Sequence, residues 1–385
     1  MPSSCYYALF VSCNNLSSIT VPFSSWNDEQ GSTASWVAGV ASTGIFTAPA
    51  SLPLIMDKSH IPVGWRVFDT NGNERFPVYE PMTFKAVSGT SYIALKKVGT
   101  PYTLNGIRYS LNDGAWQDYT IGTTITLNQN DTIALSGNNT LYNGFSKNMS
   151  NYYQFAMTGL VDCSGNFNSL FYYDSSMNVT TGGVNRLFAA CTGLLTGPKL
   201  SSCLWTLGPS ACMYMFQDCW SMSSIPTFRI GNYNNYSCNR MFDKCSSLLS
   251  ANPIGFGGCS MGINNAFTYM YSNCYAMTGT VSITGTTVVN ANNNFYALFE
   301  NCSGITDAYV YNFTSAITEQ YVFKNCKALS SITTNSTAWP SNGYNNWVNG
   351  VASNGVFYKK SSLSAIYGNN YIPGSWNVIN IDEEK

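Results

Sequence analysis

Charge is the scarcest feature of this sequence. Only 10% of its 385 residues are Asp, Glu, Lys or Arg, and the formal net charge is −1, whereas about a quarter of an ordinary soluble domain is charged. A balanced charge without runs of one sign excludes nucleic acid as a partner. Histidine occurs once, as His60, and no Cys-x-x-Cys pair exists, so no zinc site and no other metal site is expected. No stretch of 18 or more apolar residues occurs, so no helical membrane span is expected. Phosphate-cradling loops, dinucleotide fingerprints and nucleophile elbows are absent too. The carboxylates are scattered, and the basic residues that a polysaccharide lyase would need on one face are nearly missing. The chain therefore reads as non-enzymatic, with no catalytic residues and no cofactor.

What is abundant is Asn, Ser, Thr and Gly, with 26 Tyr, 21 Phe, nine Trp and 13 Cys. A short unit, aromatic-x-x-Cys-x-x-(Leu/Met/Ile), keeps returning. It reads Phe10/Cys13/Leu16, Phe188/Cys191/Leu194, Phe216/Cys219/Met222, Phe242/Cys245/Leu248, Tyr271/Cys274/Met277, Phe299/Cys302/Ile305 and Phe323/Cys326/Leu329, with a degenerate copy at Phe171/Asp174/Met177. From Phe171 the aromatic recurs after 17, 28, 26, 29, 28 and 24 residues. Such a period is the signature of a solenoid, whose units bury their apolar edges on one another. The 3-residue spacing places the three side chains on one face of a short helix or helical turn. The intervening Gln217, Asp218, Asp243, Lys244, Glu300, Asn301, Lys324 and Asn325 then face solvent. A cation-binding carboxylate ladder through Asp218, Asp243 and Glu300 is weighed against, and yields to, plain solvated turns. Runs such as Ser17-Ser18-Ile19 and Ser330-Ser331-Ile332 supply a short strand per unit. The seven repeat cysteines share one inward slot and read as a ladder of buried thiols; the state of Cys5, Cys163, Cys203, Cys212, Cys238 and Cys259 is left open.

Units of the form (Met/Leu)-Phe-x-x-Cys-x-x-Leu-x-x-Ile resemble the BspA-like leucine-rich repeats of Bacteroidales-type surface proteins and of gut-phage proteins. The resemblance covers about residues 160–338 and the segment around Phe10. It implies a leucine-rich-repeat solenoid and a role in adhesion or recognition, without naming a ligand.

A longer duplication frames the array. Trp36–Phe46 matches Trp347–Phe357, and Ile61-Pro62-x-x-Trp65 matches Ile372-Pro373-x-x-Trp376, both at an offset of 311. Residues 1–68 thus repeat the last unit and a Trp/Gly-rich end-cap of the kind that closes a solenoid. At the N-terminus that cap has no array before it, so it is expected to dock on the open start of its own array, on another copy or on another protein, or to be a remnant of a longer tandem protein. The segment Tyr6–Val11 lacks the positive flank of a signal peptide and aligns with Tyr321–Cys326. It is taken as a repeat, which points to a virion component. Residues 69–150 change texture. Alternating runs at 82–87, 91–97, 106–112, 115–120, 123–127 and 131–136, with an Asp113-Gly114 turn, read as a small Ig-like β-sandwich.

The expected fold is mainly β with short helices. An orphan repeat and end-cap (1–68) is followed by a β-sandwich spacer (69–150), a Cys-ladder leucine-rich-repeat solenoid (151–338) and a C-terminal end-cap (339–385). The expected function is extracellular recognition or assembly at a virion or cell surface. The partners would be bacterial-surface or host glycans or proteins, with homo-oligomers or other virion proteins held through residues 1–68. A bacterial cell-surface adhesin is the alternative, and a carbohydrate-active enzyme the third. Exposed aromatics between repeats, Trp205, Trp220, Tyr233 and Tyr236, are the candidate sugar-stacking residues.

Overall fold

A computed structural model of the chain describes residues 5–27, 31–41, 44–55, 58–62, 65–75, 80–104, 106–137, 145–170, 178–179, 183–200, 205–226, 230–251, 254–255, 263–284, 294–311, 319–341 and 343–382. The degenerate copy at Phe171, Cys203 and Cys259 lie outside the described residues. The protein is mainly β, with a β-solenoid of stacked coils. Strands β1 (Ser18–Thr20), β2 (Gly44–Thr47), β3 (Trp65–Phe68) and β4 (Glu74–Arg75) form the first sheet. Strands β5 (Met82–Val98), β6 (Arg108–Leu111), β7 (Gln117–Asp118), β8 (Ile125–Leu127), β9 (Thr132–Ser136), β10 (Ser146–Asn148) and β11 (Asn151–Ser164) form the second. Two parallel sheets follow. One holds β12 (Asn178–Val179), β13 (Trp205–Leu207) and β14 (Ile230–Asn232). The other holds β15 (Ile254–Gly255), β16 (Thr278–Thr284), β17 (Gly304–Val310), β18 (Ser331–Thr334), β19 (Val356–Lys359) and β20 (Asn377–Asn380).

The aromatic-x-x-Cys segments are not helical. Helix among the described residues is confined to 3-10 turns, of which Phe167–Leu170 is complete. In the Phe216 segment every second amide closes a turn: Met213, Met215, Gln217 and Cys219 N–H donate to the carbonyls of Ser210, Cys212, Tyr214 and Phe216. The amides between them point sideways. Cys212, Tyr214, Phe216 and Asp218 N–H donate to Ser237, Asn239, Met241 and Asp243 of the next coil, at 2.8–3.0 Å. An α-helix would consume all of these donors internally. Here half of them join coil to coil, and the segment becomes a turn ribbon that stacks like a parallel sheet. Alternate turns need a left-handed residue, which falls two positions before and two after the aromatic. The pairs are Arg186/Ala190, Tyr214/Asp218, Arg240/Lys244, Tyr269/Asn273, Ala297/Asn301 and Tyr321/Asn325, with φ between 52° and 65°. A spacing of three keeps apolar side chains on one face in either geometry, which is why the sequence spacing alone suggests a helix.

The ribbon explains both inward residues. Rings of successive coils stack in line from Phe155 through Phe188, Phe216, Phe242, Tyr271 and Phe299 to Phe323, with centroids 5.1–5.8 Å apart and planes within 12°. Each such pair is worth about 0.5–1.5 kcal/mol beyond its burial. Beside them each Cys donates its thiol to the carbonyl of the preceding aromatic: Cys191 to Phe155, Cys219 to Phe188, Cys245 to Phe216, Cys274 to Phe242, Cys302 to Tyr271 and Cys326 to Phe299, at 3.0–3.2 Å. The cysteines of the described residues are all free. In the solenoid the thiols are buried as the sequence suggested; Cys13 in the N-terminal copy is exposed instead.

The second sheet starts the solenoid. The two strands anticipated at 82–87 and 91–97 are one long strand, β5, paired antiparallel along its length with β11. Hydrogen bonds join all seven strands into one sheet. The Asp113-Gly114 signal is realised as a Leu111–Gly114 turn with Asn112 and Asp113 left-handed between β6 and β7. Strand β11, assigned to the solenoid from the sequence, serves both parts. Phe155 N–H donates to Leu187 O and Val161 N–H to Gly193 O, as an upstream coil would. Gly193 is needed there, since a Cβ would overlap the Gly159 carbonyl. The upstream side of the Phe188 coil is therefore occupied by β11.

The duplicated units superpose in their bonding. The indole N–H of Trp26, Trp36 and Trp65 donates to Pro53, His60 and Ala41 carbonyls, and that of Trp339, Trp347 and Trp376 to Ser364, Tyr371 and Ala352, all at 2.7–2.8 Å. His60 and Tyr371 are equivalent edge-on partners of Trp26 and Trp339, so the histidine works as a ring. The N-terminal unit holds a core of its own around Trp36, Phe46 and Trp65, while one core runs from the second sheet through the solenoid to Trp376.

Two measurements check this architecture. Ala190, exposed and left-handed, should tolerate glycine: Ala190→Gly should leave the Tm unchanged or raise it by the equivalent of up to about 1 kcal/mol, because glycine adopts positive φ freely. In a helix the same change would cost about 1 kcal/mol, so a clear fall in Tm would refute the ribbon. Burial also pushes the thiols of Cys191, Cys219, Cys245, Cys274 and Cys326 far above the ordinary thiol range. Alkylation of the native protein at pH 8 should spare Cys163, Cys191, Cys212, Cys219, Cys238, Cys245, Cys274, Cys302 and Cys326, and modify them only after unfolding.

Candidate recognition face

Because the aromatic and the Cys point inward, the left-handed positions of the ribbon put their side chains outward, one set per coil. The column two residues before the aromatic reads Arg186, Tyr214, Arg240, Tyr269, Ala297 and Tyr321, and Tyr152 and Tyr296 join it from three residues before Phe155 and Phe299. The Arg186 guanidinium lies 5.9 Å from the Tyr152 ring centroid and 4.3 Å from that of Tyr214, and Arg240 lies 4.1 Å from Tyr269. Tyr269, Tyr296 and Tyr321 then meet edge-on at 5.3 Å each, and Lys324 Nζ sits 4.8 Å from the Tyr321 ring. All are half-buried, so the rings are held with one side packed and one side wet. Burial and the hydrogen bond with Tyr269 push the Tyr296 hydroxyl up to about 12, so it remains a neutral donor at physiological pH.

The neighbouring column is an amide ladder. Asn325 Nδ2 donates to Asn301 Oδ1 (2.9 Å), Asn301 Nδ2 to Asn273 Oδ1 (2.8 Å) and Asn273 Nδ2 to Asp243 Oδ1 (3.0 Å). Asp243 also accepts from Gln217 Nε2 and is ion-paired with Arg240 at 2.8 Å. Its side chain is fully buried, which corrects the expectation that it faces solvent: one carboxylate gathers an amide, a second amide and a guanidinium. Glu300 is likewise mostly covered and pairs with Lys324 at 2.8 Å, which raises the lysine's pKa. Asp218 pairs with Lys244 at 3.6 Å. The carboxylates are thus spent on cations and amides of adjacent coils rather than aligned as a cation ladder. Among the described residues no group of three or more His, Cys, Asp or Glu could hold a metal ion.

The four aromatics picked from the sequence are not brought together. Trp220 and Tyr236 are exposed, at 54% and 43%, but Trp220 follows the ribbon after Cys219 while Tyr236 stands within the next ribbon, six residues before Phe242, and donates its N–H to Asn264 O. Tyr233 is half-buried and packs edge-on against Phe267 at 4.6 Å, so it serves the core. Trp205 stands in β13 between β12 and β14, and its side chain lies outside the described residues. The column that the structure does assemble had a sequence signal: Arg186, Tyr214, Arg240, Tyr269 and Tyr321 each stand two residues before a repeat aromatic. Among the described residues an apolar space of about 10 Å³ lies between Ile93, Ile133, Phe155 and Leu170 in the second sheet, too small for a ligand.

One inward position breaks the apolar rule. Four residues before the aromatic the coils carry Cys212, Cys238, Phe267 and Phe295, and then Glu319, which is fully buried. Its Oε2 accepts the Phe295 N–H at 2.9 Å, its Oε1 has no hydrogen-bond partner among the described residues, and burial pushes its carboxyl up to about 8. The Tyr344 hydroxyl nearby is held neutral by its own burial. The folded form therefore keeps the proton to about pH 8, while the unfolded chain releases it near the ordinary 4.5. The contribution of Glu319 to stability should be fully present below that lower value and be lost as pH rises to about 8. Thermal melts at pH 4.5 to 9 should show this slope, and Glu319→Gln should flatten it; an unchanged slope would remove Glu319 as its source. No protein family, curated protein or solved structure matches this chain.

Proposed function

We propose that this chain is a non-enzymatic recognition and assembly protein of a virion surface or cell exterior, binding bacterial-surface or mucosal glycans or proteins through the outer face of its solenoid. The observation that carries the reading is the column of Tyr152, Tyr214, Tyr269, Tyr296 and Tyr321 interleaved with Arg186, Arg240 and Lys324 beside an amide ladder. Fixed phenols, amides and guanidinia repeated at the coil spacing offer hydroxyl-rich polymers both stacking and hydrogen bonds. The near-neutral surface suits a partner that is not held by charge. On this reading the repeats are irregular leucine-rich repeats of BspA type, the second sheet is a spacer, Ig-like in outline, and the duplicated units are end-caps. A bacterial adhesin segment is the second reading.

Glycan arrays of bacterial-surface and mucin oligosaccharides test this. The wild-type chain should bind a restricted set, and Tyr214→Ala with Tyr269→Ala should weaken binding at least about tenfold, with Tm little changed. Trp220→Ala reports on the exposed tryptophan separately. No binding to any glycan on the array would overturn the carbohydrate part of the proposal.

A further inference from the structure

The two copies of the terminal unit differ at their sheet edges, and the difference is complementary. In the C-terminal copy the first strand, β18, is covered by β17 and the last, β20, has among the described residues a neighbour only on the β19 side. In the N-terminal copy the last strand, β3, is covered by β4, and the first, β1, has among the described residues a neighbour only on the β2 side. Ile45 N–H donates to Ser17 O and Val21 N–H to Thr47 O, so the backbone of Ser18 and Thr20 faces away from β2. Asn377 N–H donates to Gly355 O and Ile381 N–H to Lys359 O, so the backbone of Val378 and Asn380 faces away from β19. Each open edge thus offers the same two-residue alternation of N–H and C=O, and each belongs to three strands running parallel.

Within their paired residues the two edges lack the devices that keep strands apart, although Pro22 follows the first and Asp382 the second, each two residues beyond the strand. Exposed edges are normally blunted by charge or proline, as β3 is closed off by Glu74–Arg75. Neither Ser18-Ile19-Thr20 nor Asn377-Val378-Ile379-Asn380 carries a charge or a proline. Large apolar side chains stand exposed in the flanking segments: Tyr7, Leu9 and Val11 at the head, Ile366, Tyr367 and Ile379 at the tail. Pairing of two heads is disfavoured by the ribbon. In every coil junction of the solenoid the upstream coil gives N–H groups and the downstream coil receives them on carbonyls, so the upstream side of the Phe10 ribbon presents carbonyls of Tyr7, Leu9 and Val11. Two heads would oppose acceptor to acceptor.

We propose that β20 of one chain pairs in parallel with β1 of a second copy, continuing the sheet head to tail across the joint. Such a contact is heterologous and propagates unless the rotation closes a ring. It deepens the assembly half of the function proposed above and is independent of glycan binding.

The test is light scattering and sedimentation of the full chain across concentration, with edge-blocked variants. The wild-type mass should rise with concentration. Thr20→Pro and Val378→Pro each remove an outward N–H and spare the bonds to β2 and β19, so each alone should be monomeric. Mixed one to one, they retain one good tail and one good head and should form dimers of twice the monomer mass. Leu9→Lys and Tyr367→Lys, on exposed side chains, form a second pair should either proline variant fail to fold. A monomeric wild-type at every concentration overturns the joint and favours the adhesin segment. Dimers formed by a tail-blocked variant alone also overturn it, in favour of head-to-head pairing. Glycan binding measured on the same samples separates failure of the joint from failure of the recognition reading.

Discussion

Everything in this molecule follows from where the ribbon amides go. A helix satisfies its donors within one segment and leaves side chains to hold neighbours together. The ribbon closes a turn with every second amide and sends the others sideways, so neighbouring coils are bonded through backbone as strands are. Adjacent coils must then keep register, because a slip by one residue would exchange turn-closing donors for lateral ones. Register in turn fixes the line of rings, the thiol beside each ring and the amides outside. The irregular intervals of 24–29 residues between aromatics do not disturb this, since the extra length is absorbed between ribbons.

Lateral bonding also accounts for the residue types. The carbonyl of each aromatic has a lone pair left after its own turn is closed, and the side chain that meets it must be small, apolar and able to donate weakly. Cysteine meets all three demands; alanine and valine lack the donor, and serine carries a stronger polarity into a dry seam. The left-handed positions are filled by Asn or Asp in several coils because their side chains tolerate positive φ. The amide of Asn273, Asn301 or Asn325 then bonds its neighbour, so the residues that relieve backbone strain also build the outer ladder.

The solenoid and the duplication were legible because both depend on spacing, and spacing survives whatever backbone carries it. The ribbon was not legible. Aromatic, Cys and Leu at intervals of three satisfy one turn of helix as well as alternating turns, and the deciding feature, a left-handed φ at Tyr214 or Arg240, has no composition signal when the residue is neither Gly nor Asn. Strands of the second sheet could be located from alternation, yet not that two of them are one strand bent past Gly89, nor that β11 would double as the first coil. The site residues were sought among exposed-looking tryptophans and tyrosines between repeats. Of those whose side chains are described, Trp220 and Tyr236 are exposed, while most of the ordered column lies two residues before the repeat aromatic, and Asp243 reverses its expected exposure because Arg240 and two amides enclose it.

The scarcity of charge acquires a meaning from this geometry. With few ionised groups the outer face cannot rely on long-range attraction, and its side chains must be placed before a partner arrives. The ribbon does this placing. Tyr214 is clamped by Arg186, Tyr269 by Arg240, and Tyr321 by Lys324 and Tyr296, on a backbone tied to both neighbouring coils. Side chains fixed in advance lose little entropy on binding, roughly 0.5–1.5 kcal/mol less for each one that need not be ordered. A weakly charged surface can in this way favour one regular polymer over many, with repeat length as the selective feature. The same rigidity makes the chain's two open edges consequential. Strands fixed in position on both units hold their outward backbone without the freedom to fold it away, which is the physical basis of the head-to-tail joint proposed above.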